Sequence, residues 1–133
     1  MGQPAARLND QVSGADVHLV MVPSPSGPVP TPLPHPFTAI ITTGTCADVL
    51  IGGQPAAVIG SGTQNNPPHT PTPPGTSFQM PPTNQGTVAA GSATVLINGK
   101  GAARMGDSVT TCADPAPMPN GTITNGCTTV MIG

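Results

Sequence analysis

The sequence contains no glutamate, tryptophan or tyrosine, and only three of its 133 residues are lysine or arginine. Nucleic-acid-binding domains present clustered basic side chains, often with aromatic residues on which bases stack. With a net charge of -2, the chain lacks the material for such an interface. Five aspartates are the only side-chain carboxylates available for acid–base chemistry.

A secretion signal and long apolar runs are also lacking. Residues 1–10 have neither the basic region nor the apolar stretch of a signal peptide. No apolar run approaches the roughly 18 residues of a membrane span. The three cysteines are an odd number. These features predict synthesis in the cytoplasm, where a disulfide framework is not expected.

Charge is scarce, at 6% of residues, although the 17 glycines and 19 prolines are numerous enough for a disordered chain. Disordered chains usually stay solvated through charge, and here the apolar residues are instead collected into repeated triplets. No segment shows helical periodicity. We therefore expect one small all-β domain over residues 1–133, with a thin core that needs a metal or a partner as a staple.

A short phrase, a turn followed by two alanines, occurs three times. The copies lie at residues 1–10, 52–61 and 98–107. Apolar triplets precede the second and third copies and also end the chain: Val49-Leu50-Ile51, Val95-Leu96-Ile97 and Val130-Met131-Ile132. The first phrase has no triplet before it and the last triplet has no phrase after it, so joining the two ends would complete a third unit. The sequence thus predicts a three-fold internal repeat.

The turns inside the phrases are typical of β-hairpins. Gly-Gly at 52–53 and Asn-Gly at 98–99 stand between apolar runs and can supply the positive φ angles of two-residue hairpin turns. In the outer copies, Arg7 precedes Asp10 and Arg104 precedes Asp107, whereas the middle copy replaces both residues. This joint replacement favours an arginine–aspartate contact in two units, with independently solvated charges as the alternative.

Three proline-rich stretches, at 23–36, 65–82 and 110–120, are predicted to be long extended loops, because each proline fixes φ and removes a hydrogen-bond donor. The triplets are apolar at consecutive positions, so both faces of those strands should be covered. One face can close a three-sided core, and the other needs the proline-rich loops or another protein. A partner with true three-fold symmetry would match the repeat.

All three histidines fall within the proline-rich stretches or just before them. His18 and His69 stand at the same offset from the second alanine of their phrases, and Cys112 lies in the corresponding region of the third unit. Equivalent positions converge on the axis of a three-fold fold. With His35 as a fourth donor, they could form the closed tetrahedron that structural zinc prefers. A lone histidine in such a loop is more often hydrogen-bonded or solvated, and this alternative stays open on spacing alone.

Pro4-Ala5-Ala6-Arg7, its degenerate copies at 55–57 and 101–104, and the scattered histidines and cysteines resemble the PAAR-repeat proteins. These are the pointed caps on the spikes of type VI secretion and related contractile injection systems. The resemblance implies a small three-sided β-pyramid with one structural zinc held by His18, His35, His69 and Cys112. It also implies a monomeric, non-enzymatic cap. Family members often carry an effector domain beyond the repeat, but this sequence ends at Gly133 inside its last repeat, so we expect no fused effector domain.

The resemblance further implies a partner, a trimeric VgrG-like spike protein, with the apolar triplets supplying the docking face. Transient contact with a target membrane, carriage of effector cargo, and delivery outside the cell or into a target cell are expected on the same ground. Two alternatives from other classes remain: a small zinc hydrolase and a proline-rich linker. Cys46 and Cys127, each just before a triplet, are interpreted as small buried residues.

Overall fold

The computed structural model describes residues 2–133, and Met1, the first residue of the first phrase, lies outside the described part. The described chain is all-β, as predicted. Its strands are β1 (Gln3–Ala5), β2 (Gln11–Val22), β3 (Val29–Thr43), β4 (Cys46–Ile51), β5 (Gln54–Ala56), β6 (Gly62–Asn65), β7 (Ser77–Phe78), β8 (Gln85–Val88), β9 (Leu96–Ile97), β10 (Lys100–Gly101), β11 (Ser108–Thr111), β12 (Met118–Ile123) and β13 (Cys127–Ile132). Residues 2–133 include no helix long and apolar enough to cross a membrane.

Six strands close into a barrel-like body. Their order is β2, β3, β6, β8, β11 and β12, all neighbours are antiparallel, and β12 pairs back onto β2. The short strand β7 adds to β2 from the second proline-rich stretch. Each repeat unit contributes one strand pair to the barrel: β2 with β3, β6 with β8, and β11 with β12. The three-sided body expected from the repeat is therefore confirmed.

The first proline-rich stretch is more regular than the predicted loop. Its prolines 30, 32, 34 and 36 belong to β3, which pairs with β2 from Val22↔Val29 to Gln11↔Ile40. Prolines at every second position leave the intervening residues free to donate to the neighbouring strand. The prolines are exposed, while His35 and Phe37 between them face the interior. Alternation thus turns a proline-rich sequence into a strand with one apolar inner face.

The three phrases meet in a closed ring of backbone hydrogen bonds, which we call the phrase ring. Ala6 donates to Ala103, Ala103 to Ala57, and Ala57 to Ala6, over N–O distances of 2.9, 2.9 and 3.1 Å. All three alanines are fully buried. Bridges between the units repeat the same three-fold pattern: Ala5 with Arg104, Ala56 with Arg7, and Ala102 with Val58. A larger side chain would separate the backbones here, which explains the paired alanines of the phrase.

Each phrase also forms a two-stranded hairpin with a triplet at one end of the barrel, and we call these three strand pairs the corner hairpins. The pairs are β4 with β5, β9 with β10, and β1 with β13. Gly52, Gly53, Asn98 and Gly99 all have positive φ, as the turn prediction requires. In the third hairpin Gln3 pairs with Ile132, so the beginning and end of the described chain replace the turn. The predicted completion of the third unit is confirmed.

The turn that follows each alanine pair is closed by a side chain. Asp10 accepts from the backbone N–H of Arg7 at 2.7 Å and forms an ion pair with its guanidinium at 3.2 Å. Asp107 and Arg104 repeat both contacts, at 2.8 and 2.9 Å. In the middle unit the Ser61 hydroxyl accepts from the Val58 N–H at 3.0 Å. The arginine–aspartate contact is confirmed, and the serine keeps the turn without the charges.

Candidate metal centre

One face of the barrel interior brings ionisable side chains together. Asp16 and His18 lie two residues apart on β2, so both point inward. His35 lies on β3, directly opposite Asp16 on β2. His69 follows β6, and Cys112 follows β11. At about 3.3 Å per residue, the six steps from Asp10, in the turn after the first alanine pair, to Asp16 correspond to about 20 Å along the chain. The cluster and the corner hairpins therefore lie toward opposite ends of the body.

Four of these residues can each direct one ligand atom to a common point. In Asp16, His18, His69 and Cys112 the candidate atoms all lie within 4.8 Å of one another. Asp16 Oδ2 is 2.9 Å from His69 Nε2, 3.6 Å from Cys112 Sγ and 4.0 Å from His18 Nε2. Cys112 Sγ is 3.8 Å from His18 Nε2. Ligand atoms on a tetrahedral zinc are separated by about 3.3 to 3.6 Å, given bonds of about 2.0 to 2.3 Å. The group therefore fits a small divalent cation.

The structure places the predicted ligands in two sets. His18, His69 and Cys112 belong to the four-residue group, whereas His35 is adjacent, with its ring centroid 5.3 Å from that of His18 and 5.7 Å from that of His69. Asp16 was missed as a candidate ligand from the sequence. Its signal was available, because a residue two positions before His18 on a strand shares the histidine's inward face. The ligand set named from the sequence stays a prediction.

Charge in the group is balanced by a buried pair. Burial alone would raise the pKa of Asp16, but hydrogen bonds from His69 and Thr111 outweigh it and hold the pKa below its usual value. For His69, burial alone would lower the pKa. Its interactions with Asp16 and Cys112 outweigh burial and raise the pKa of His69 to about 9. The side chain of His69 is 3% exposed and that of Asp16 is 0% exposed. Without a cation, His69 is therefore the proton carrier that compensates the carboxylate.

His18 is oriented as metal-binding histidines usually are. Its ring is fully buried, with Nε2 toward the group and Nδ1 3.3 Å from Asp114 Oδ2. The alignment is not that of a hydrogen bond, and Nδ1 is the only buried side-chain nitrogen or oxygen of residues 2–133 without a partner. Asp114 itself accepts from the Leu19 N–H at 3.0 Å. Metal-binding histidines usually direct one ring nitrogen to the cation and donate the other N–H to a carboxylate; His18 has the carboxylate in place, but Nδ1 is not aligned to donate to it.

His35 has a different environment. Its Nδ1 lies 2.8 Å from the Leu33 carbonyl, and its Nε2 accepts from the Thr72 N–H at 3.1 Å. Burial, the main cause, lowers the pKa of His35 and favours the neutral ring that these two contacts require. The ring also packs against Phe78, with centroids 5.4 Å apart. His35 thereby ties the second proline-rich stretch to the barrel.

The remaining cysteines are free. Cys46 is half-buried, Cys127 is buried, and neither forms a disulfide. Cys127 Sγ lies 3.1 Å from the Thr129 hydroxyl, and this hydrogen bond, the main cause, with Arg7 nearby, lowers the pKa of the Cys127 thiol. Both residues pair with or near a phrase alanine, Cys46 with Ala56 and Cys127 with Ala5. Their small size at the corner hairpins is consistent with the packing role predicted for them.

Comparison with known proteins gives a family for part of the chain. A family model described as the PAAR motif matches residues 79–133. Neither the characterised proteins nor the solved structures gave a match. The matched segment includes Cys112 and the third phrase but none of the three histidines, so the match does not fix the ligand set. The PAAR motif is associated with spike-tip proteins of type VI secretion, which are structural. The match over residues 79–133, together with the three-fold repetition of the same unit, supports a PAAR-repeat protein.

Proposed function

We propose that this protein caps a trimeric VgrG-like spike of a contractile injection system and forms its point. The observation that carries the proposal is a set of three exposed apolar side chains at equivalent positions of the corner hairpins. We call this set the base triad: Leu50, Leu96 and Met131. Their exposures are 61%, 61% and 55%. One polypeptide thereby offers the same apolar feature three times around an axis, as the blunt end of a trimer requires.

The structure distinguishes the residues within each triplet, which the sequence could not do. The last residues, Ile51, Ile97 and Ile132, are 5%, 8% and 4% exposed and belong to the core beneath the hairpins. The middle residues form the base triad, and the first residues flank it: Val49, Val95 and Val130. Of the nine predicted docking residues, the isoleucines therefore support the surface from below. The base triad supplies the exposed apolar area, and of the three flanking valines Val49 and Val130 also pack against that core.

A metal at the opposite end would act as a staple. The barrel core there is small, and closed structural sites contribute folding free energy directly. His18, His69 and Cys112, with Asp16 or His35, would hold the ion, and zinc suits such nitrogen and sulfur donors. When bound, the ion supplies cross-links between β2, the stretch after β6 and the stretch after β11. A point stiffened in this way suits puncture of a membrane.

The burial of the group favours this structural role over hydrolysis. A catalytic zinc keeps an open position for water, whereas Asp16 and His18 are fully buried and Cys112 is 9% exposed. The open groove of about 390 Å³ nearby is lined by His35, His69 and the prolines of the second stretch, and does not include the other three residues. Effector cargo, if carried, would bind the proline-rich stretches or the spike, and delivery would follow the spike out of the cell.

The docking face is tested with a purified trimeric VgrG-like spike protein from the same organism. Leu96→Lys and Met131→Lys should each weaken binding at least tenfold in biolayer interferometry, since each places a charge in an apolar contact. Met80→Lys is the matched control, because Met80 is 51% exposed but lies in the second proline-rich stretch. Unchanged binding by the two base-triad variants, or equal loss in the control, would overturn the proposed docking face.

A further inference from the structure

The two nitrogens of His35 are both occupied by backbone groups. A carbonyl oxygen can only accept, so the 2.8 Å contact with Leu33 places the ring proton on Nδ1. The Thr72 N–H can only donate, so the Nε2 lone pair is used at 3.1 Å. A metal bond to either nitrogen would require breaking one of these hydrogen bonds and leaving a backbone group without its partner.

Asp16 has the opposite situation. Its Oδ1 is anchored by the Thr111 hydroxyl, which leaves Oδ2 directed into the group. That atom lies 2.9 Å from His69 Nε2, 3.6 Å from Cys112 Sγ and 4.0 Å from His18 Nε2. Asp16 is fully buried, and a buried carboxylate needs a cationic partner. If a metal binds His69 Nε2, the 2.9 Å contact between that atom and Asp16 Oδ2 is replaced, and the metal becomes the cationic partner of the buried carboxylate.

We infer that the fourth donor of the metal centre is the Asp16 carboxylate and that His35 is not a ligand, so that the site is formed by two histidines, one cysteine and one aspartate. The inference rests on the metal-binding part of the proposed function. A dication, a thiolate and a carboxylate add up to zero charge, which suits a site without solvent. His35 instead anchors the second proline-rich stretch, through Thr72, over the group.

The donor set has a consequence for metal selectivity. A carboxylate oxygen is a harder donor than an imidazole nitrogen, and the Asp16 Oδ2 position requires one ion to satisfy oxygen, nitrogen and sulfur at once. Zinc and cobalt(II) accept this mixture in tetrahedral geometry. Copper(I), which prefers thiolate and thioether ligands, should gain less from it.

Cobalt(II) titration of the full chain tests the assignment, because thiolate-to-cobalt absorption and tetrahedral d–d bands report binding without any assay of function. The wild-type protein should bind one cobalt ion per chain. His35→Gln should keep that stoichiometry with an affinity within about threefold, whereas Asp16→Asn should lose more than about 100-fold in affinity, beyond the roughly 10- to 100-fold loss typical of an outer residue. Circular dichroism of the metal-free variants checks that each retains its β structure.

A second measurement avoids variants altogether. In the zinc-loaded wild-type protein, long-range ¹H–¹⁵N NMR of the imidazoles should show metal-bound nitrogens in His18 and His69 only, with His35 protonated at Nδ1 and metal-free. Metal-bound nitrogen in His35, or tight cobalt binding by Asp16→Asn, would overturn the inference while leaving a metal-stapled tip intact. Absence of zinc and cobalt binding by the wild-type protein would overturn both.

Discussion

Enlarging an alanine of the phrase ring should destabilise the protein by a similar amount in all three units. Ala6, Ala57 and Ala103 are fully buried where three backbones approach to 2.9 to 3.1 Å between N and O. Alanine to valine adds two methyl groups at a site without room, and such overpacking costs about 2 kcal/mol. An unfolding entropy of about 2.1 cal/mol/K per residue gives about 0.28 kcal/mol/K for the chain. The melting temperature should therefore fall by about 7 °C.

Differential scanning calorimetry of Ala6→Val, Ala57→Val and Ala103→Val measures the three shifts under one condition. Ala15→Val is the matched control, since Ala15 is exposed on β2, where valine is favourable for a strand. The control should melt within about 2 °C of the wild type, as surface substitutions usually change stability by at most about 0.5 kcal/mol. A large shift in only one ring variant, or shifts no larger than the control's, would refute the reasoning that the three phrases share one axis.

Three further predictions concern the metal group and the chain ends. Chelation should lower the melting temperature of zinc-loaded protein, and His69→Ala in zinc should melt below the chelated wild type, because it loses both the metal and the pairing with Asp16; equal melting of the wild type with and without zinc would exclude a structural metal. In metal-free protein the raised pKa of His69 means that its pairing with Asp16 stabilises the fold below pH about 6.5 and is lost as the pH rises through about 9. The urea midpoints of wild type and His69→Ala should converge over that interval, and a constant difference would contradict the pairing. A circular permutant that joins Gly133 to Gly2 and opens at the Gly52 turn should show the same β spectrum; an unfolded product would argue against equivalent hairpins.

The repeat could be predicted because it depends on short local sequence features. Paired alanines, glycine-rich turns and apolar triplets recur at each unit, and each has a backbone requirement of its own. The pairing of Gln3 with Ile132 followed from the missing halves of the third unit. The middle unit has Val58 and Ser61 where the first unit has Arg7 and Asp10. This joint difference predicted a contact between the arginine and the aspartate, and the turn hydrogen bond is kept by Ser61 without the charges.

The metal group was harder to predict because it depends on registers set by long-range pairing. The alternation of prolines in β3 decides that His35 faces inward beside Asp16, yet proline content alone favoured a loop. Asp16 is distinguished from other aspartates only by its position two residues before His18 on the inner face of β2. The Thr72 contact that occupies His35 comes from a distant segment, and no spacing in the sequence reports it.

The central claim is that a single chain presents three equivalent units and binds the end of a trimeric protein through them. Native mass spectrometry of this protein mixed with a trimeric VgrG-like spike protein from the same organism tests it most directly, because the measured mass gives the stoichiometry. The account predicts one copy of this chain per three spike chains, and loss of that species with Leu96→Lys. Three copies per trimer, or a complex that survives the substitution, would contradict it.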